Sequence, residues 1–270
     1  MDISTNKFLL AFALTLFAGL STGIGSLFAF YARKTSKIFL SASLGFSAGV
    51  MIYVSMIEIF TEARESLEII YGAPKGYWVT VIAFFVGIFL IALIDKIIPS
   101  KDNPHEICEI EDMKEDGTVD LVLLRMGLFS ALAIAIHNFP EGLATFVANI
   151  QDPKIGISIA VAIAIHNIPE GIAVSIPIFY ATGDRKKAFK YSFLSGLSEP
   201  VGALIGYFLM IKFLNASMFG LVFAGVAGIM VYISLDELLP AAEKYGEHHI
   251  SIYGLIAGMG VMALCLLLFA

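Results

Sequence analysis

Residues 133–144 read AIAIHNFPEGLA and residues 162–173 read AIAIHNIPEGIA, identical at ten of twelve positions with an offset of 29. Both copies sit inside long apolar runs, at spacings that suit a helix rather than a strand. His at one position and Glu four later share a helix face. Pro, three residues after the His, cannot donate to the carbonyl four back. The Ile136 and Ile165 carbonyls are therefore freed as acceptors, and each helix can kink. A duplicated apolar helix carrying His, Asn and Glu at its middle is a membrane helix built around a polar site.

The rest of the chain agrees. Of 270 residues, 58% are hydrophobic and only 15% charged, against about 25% charge in a soluble domain. Residues 8–32, 38–57, 76–94, 213–235 and 250–270 run without Asp, Glu, Lys or Arg, each near or above the roughly 20 residues that cross a bilayer as a helix. The class is an all-α polytopic membrane protein, which excludes a water-soluble enzyme, a nucleic-acid binder and a secreted scaffold. Cys108 and Cys265 make no disulfide framework. The first apolar run is too long for a signal-peptide core and reads as a retained helix.

Eight transmembrane helices are expected, at roughly 8–31, 37–60, 77–98, 121–148, 155–181, 188–211, 215–239 and 250–270, within a single integral domain, 1–270. The one long polar connection, 99–120, holds eight acidic residues. Twelve of the 17 basic residues fall on the side of that loop and five (Lys7, Arg64, Lys75, Lys154 and Lys212) on the other. The positive-inside asymmetry puts the acidic loop in the cytoplasm and both termini outside.

Two weaker repeats accompany the first. GVMIYVSMIEIF at 49–60 parallels GIMVYISLDELL at 228–239, and GLSTGIGSL at 19–27 parallels GLSEPVGAL at 196–204. Helices 1–3 thus correspond to helices 6–8, and helix 4 to helix 5. In the expected topology every matched pair is antiparallel. Such inverted repeats characterise secondary transporters, whose sites lie at the midplane between them.

His137, Asn138 and Glu141 fall near the middle of helix 4, His166, Asn167 and Glu170 near that of helix 5, and Glu199 near that of helix 6. Each ionisable group at that depth costs about 2.5–3.5 kcal/mol on insertion scales, so five of them need a common partner. Imidazole with carboxylate suits Zn, Fe, Mn, Co or Ni rather than Mg or Ca. Three carboxylates and two imidazoles can hold one or two divalent cations, with Glu141 and Glu170 shared. Glu199 reads either as a ligand or as a base beside the site.

The two HNxPEG motifs, the Gly-rich first helix and the SLDELLP segment together resemble the ZIP (Zrt-, Irt-like) metal transporters, over essentially the whole chain. The resemblance implies eight helices with outward termini, a homodimer, a cell-membrane location (plasma or bacterial inner), and uptake of Zn2+ with Fe2+, Mn2+, Co2+ and Cd2+ as related cargo and no resident cofactor. By motif position it implies a first metal site of His137, Glu141, His166 and Glu170. A second would comprise Asn138, Glu141, Asn167, Glu170 and Glu199. The loop departs from the His-rich loops frequent in the family, holding only His105.

Glu58, Glu62 and Glu65 form an acidic stripe at the expected outer end of helix 2, and the repeat pairs Glu58 with Glu237, beside Asp236, at the inner end of helix 7. Ser47, Met51 and Ser55 lead down helix 2 from Glu58 as candidate path-lining residues. The competing reading is an intramembrane metal enzyme, a hydrolase or di-iron oxidase. It lacks HExxH and the Glu-x-x-His of di-iron bundles.

Overall fold

Inside a bilayer every backbone polar group must be satisfied within the protein, and a helix does this with no neighbour. The computed structural model, which describes residues 4–31, 37–97, 121–213, 216–245 and 248–269, is helical throughout them apart from single turns. The helices are α1 (Thr5–Tyr31), α2 (Lys37–Tyr53), α3 (Phe60–Tyr71), α4 (Ala73–Ile97), α5 (Leu121–Gln151) and α6 (Pro153–Thr182). The chain continues with α7 (Arg185–Gly196), α8 (Ser198–Phe213), α9 (Ala216–Ile233), α10 (Leu239–Tyr245) and α11 (His248–Phe269). The 99–120 loop, with His105 and Cys108, lies outside the described residues.

Among the described residues, five segments are long and apolar enough to cross a membrane: Thr5–Leu27, Ser41–Tyr71, Ala73–Ile94, Gly220–Glu243 and His248–Leu268. Gly156–Ile172 of α6, which holds the second motif, is a shorter apolar helical stretch among the described residues. Two expected boundaries are corrected. The second helix does not stop near residue 60 but continues through α3 to Tyr71, because Ala63 and Leu67 bury one stripe while Arg64 and Glu68 pair at 2.7 Å on the exposed side. The seventh continues through α10 to Tyr245 rather than ending at 239.

Both of these long helices contain a π-helical turn, Val54–Ile59 in one and Ser234–Leu238 in the other. They fall in the matched segments 49–60 and 228–239. A π turn inserts one extra residue and rotates the remainder of the helix about its axis, and such turns cluster at functional sites. Ser55 and Ser234, which correspond across the offset, are both fully buried.

Turn chemistry fixes the α5–α6 hairpin and the next connection. Asp152 caps α6 by accepting the Lys154 amide, with Pro153 at the first helical position. Gly183 ends α6 in the left-handed region at φ 65°, and Asp184 caps α7 from the Lys186 and Lys187 amides. Between α7 and α8 the helix breaks at Leu197, where Pro200 leaves the Gly196 carbonyl without its helical amide.

Helix α1 packs on α6 and α7, and α5 packs on both α6 and α8, while α4 packs on α9 and α2 on α11. Phe146, Phe223, Met230, Ile163 and Met262 fill the core between these groups. Close backbone approaches occur at glycines and recur at the repeat offsets. A methyl on Gly25 would collide with the Ile168 carbonyl, and one on Gly202 with the Phe139 carbonyl. Gly171 lies as tightly on Thr22, and Gly142 on Glu199. Small residues permit such contact between membrane helices.

Candidate metal-binding site

The hairpin of α5 and α6 brings Asn138, Glu141, His166, Asn167 and Glu170 together, and α8 adds Glu199 in its first turn. All six side chains are fully buried. His166 Nε2 lies 3.2 Å from Glu141 Oε1 and 3.9 Å from Glu170 Oε1. The imidazole thus stands between a carboxylate of its own helix, one turn on, and one from α5. Asn167 donates its side-chain amide to the Ala18 carbonyl at 2.9 Å and also to Glu199. Glu199 is thereby tied to α6.

Ser47, one of the residues expected to line the path, enters from α2. Its hydroxyl donates to Glu170 Oε1 at 3.1 Å, with the His166 carbonyl at 3.5 Å. The spacing along helix 2 carried no sign of this partner. Met51 and Ser55 are also fully buried.

Several polar atoms here have no hydrogen-bond partner among the described residues: both side-chain polar atoms of Asn138, Asn167 Oδ1 and Glu199 Oε2. Buried polar atoms are rarely left so. Three oxygens and an amide nitrogen facing no partner among the described residues form a setting that an ion and its remaining waters would complete. Among the described side chains, no group of three His, Cys, Asp or Glu residues is already closed around a metal position. His137 belongs to α5 one turn before Glu141, but its side chain lies outside the described residues.

The site is less symmetric than the repeat. Position 199 corresponds to Thr22 in the first helix, so where one repeat carries a carboxylate the other carries a hydroxyl. Thr22 is fully buried, with no partner for its hydroxyl among the described residues. The offset of 177 gave the correspondence, but nothing in the sequence singled Thr22 out.

The outer residues are arranged more loosely. Glu58 falls within the first π turn and is partly buried, Glu62 is partly buried and Glu65 exposed. Asp236 is exposed in the second π turn, and the Glu237 side chain lies outside the described residues. Glu243 and His248 pair at 2.7 Å on the surface.

Comparison with known proteins matches residues 98–266 to the family model described as ZIP zinc transporter. The zinc transporter ZupT of Oceanobacillus iheyensis is 64% identical over 267 residues, 98% of this chain and 100% of its own. The ZupT proteins of Chlorobium chlorochromatii, 66% over 266 residues, and Streptococcus mutans, 64% over 259 residues, cover 98% and 96% of this chain and 99% and 97% of their own.

Proposed function

The chain belongs to the ZIP zinc transporter family, and we propose that it carries zinc, with related divalent transition metals as secondary cargo, across a cell membrane into the cytoplasm. The observation that carries the reading is the fully buried cluster of Glu141, His166, Asn167, Glu170 and Glu199 on three helices. Nitrogen and oxygen donors of this kind fit zinc. The enzyme alternative has no support, since the relatives are named as transporters.

In this reading the cargo loses water to His137, Glu141, His166 and Glu170, with Asn138, Asn167 and Glu199 holding a second ion through the shared carboxylates. All eight helical segments cross the bilayer, with both termini outside and the acidic 99–120 loop in the cytoplasm. Helices 1–3 and 6–8 form inverted repeats around the exchanged pair of helices 4 and 5. The glycine contacts of Gly25 with Ile168 and Gly202 with Phe139 support that exchange: the offset of 177 relates the glycines and the offset of 29 their partners. Glu58, Asp236 and Glu237 serve the two mouths, so Glu237→Ala slows transport and leaves binding at the buried site.

Reconstitution in liposomes with an internal zinc dye tests the proposal. Saturable zinc influx that vanishes in Glu141→Ala and in Glu170→Ala, while both variants still insert, is the expected result. Influx unchanged in either variant would overturn the site.

A further inference from the structure

An apolar groove of about 620 Å³ runs between α4, α5 and α9. Val86 and Leu90 of α4 form one wall, Phe139 and Leu143 of α5 another, and Gly225 and Ile229 of α9 the third. It is open rather than sealed, for Val86 is 58% and Leu90 50% exposed. Phe139 and Leu143 lie on the helix whose Asn138 and Glu141 turn into the polar cluster, so the groove backs directly onto the binding helix.

The corresponding place in the other half of the repeat is filled. There α11, α6 and α2 stand where α4, α5 and α9 stand here, and these three pack on one another. The correspondence extends to the glycine contacts: Gly258 of α11 abuts the Phe46 carbonyl, as Gly87 of α4 abuts the Gly225 carbonyl. At that matched position the filled side has Phe46, packed against the core, and the groove side has Gly225. A Cβ on Gly225 would meet nothing closer than the Ala83 carbonyl at 3.8 Å. The groove side thus lacks the aromatic side chain that its counterpart carries.

Its ends say what fills it. The α4 lining extends from Val79 to Ile94, about 22 Å of helix, against roughly 15 Å for one leaflet of the hydrocarbon core. Just before Val79 stand Tyr77 and Trp78, both exposed, residue types that settle at the membrane–water boundary. Exposed Lys75 lies one helical turn before Val79, on the face that lines the groove. An apolar slot longer than one leaflet is deep, beginning at the boundary beneath a cation, has room for a full acyl chain and the charge for a phosphate at Lys75.

We propose that this groove binds one acyl chain of an anionic phospholipid, held at its phosphate by Lys75 and lying against the back of the metal-binding helix. The site is independent of which ion is carried.

The test is photolabelling of the full chain in phosphatidylcholine vesicles containing phosphatidylglycerol with a diazirine in its acyl chain, with peptide mapping of the adducts. Label should concentrate on Phe139, Leu143 and Ile229, and be sparse on the counterparts Ile168, Ile172 and Val50. Gly225→Phe should remove the groove label while label at outward-facing Phe208 and Leu268, both strongly exposed, persists as evidence of folding. Lys75→Glu, which leaves the groove's shape alone, should lower the phosphatidylglycerol label about fivefold. Equal label on the two sides, groove label untouched by Gly225→Phe, or no response to Lys75→Glu would overturn the assignment. So would cross-linking of two copies through Leu90 with no lipid adduct.

Discussion

Ser47 and Glu170 are joined by a hydrogen bond of 3.1 Å, hydroxyl to carboxylate, which couples α2 to the motif helix α6 at the buried cluster. Groups that orient a metal-binding carboxylate commonly matter by about 10–100-fold in affinity. Ser47→Ala is therefore expected to weaken zinc binding about tenfold, measured by competition with a zinc chelating dye in detergent. Ser47→Thr, which keeps the hydroxyl, should restore most of it. Affinity unchanged in Ser47→Ala would show that Glu170 needs no help from α2.

Asn167 holds Glu199 and the Ala18 carbonyl together. Asn167→Ala strands the buried Glu199 carboxylate, whereas the Ala18 carbonyl still accepts from the Ser21 hydroxyl at 2.6 Å. The loss should be roughly 1–3 kcal/mol of stability, read as a lower melting temperature of the metal-free protein. A melting curve identical to the parent would contradict the contact.

Close packing predicts a contrast between two glycines of similar sequence context. Gly25→Ala drives a methyl into the Ile168 carbonyl, whereas the same change at Gly260 meets nothing within 4 Å. Overpacking of this kind costs about 1–3 kcal/mol, so thermal stability should fall for Gly25→Ala and hold for Gly260→Ala. Equal effects would argue against the intimate α1–α6 contact.

Acidification should weaken binding. The proposed His and Glu ligands would hold metal only when deprotonated, so protons compete with zinc and are released as it binds. Zinc affinity should fall as the pH is lowered, because each proton a ligand gains must leave before zinc binds. Calorimetry in buffers of different ionisation enthalpy would count the protons released. A zinc affinity independent of pH, with no proton released at any pH tested, would contradict His166 and the carboxylates as ligands.

The polar centre was legible because HNxPEG occurs twice. One copy could be a paired structural group, but two copies at matched depth, with Glu199 alongside, point to a shared ligand. The extent of the second helix was not legible, since TEARESLEIIY at 61–71 has the charge of a connection. Its helical stripe consists of only Ala63 and Leu67, too short a pattern to weigh against Glu62, Arg64, Glu65 and Glu68. The two π turns leave no local mark at all, because the extra residue is accommodated by backbone and not by a special side chain. The Ala18 carbonyl entered the site through tertiary packing. Gly225 opposite Phe46 was present in the repeat, but became meaningful only once both sides of the fold could be compared.

The atoms around bound zinc test the buried cluster most directly. X-ray absorption on the zinc-loaded protein should give a shell of nitrogen and oxygen at about 2.0–2.1 Å with imidazole scattering, and the signal should collapse to background in the Glu141→Ala, Glu170→Ala double variant. A zinc–sulfur shell near about 2.3 Å, or a nitrogen–oxygen shell that survives the double variant unchanged, would place the metal elsewhere and contradict the buried cluster as its site.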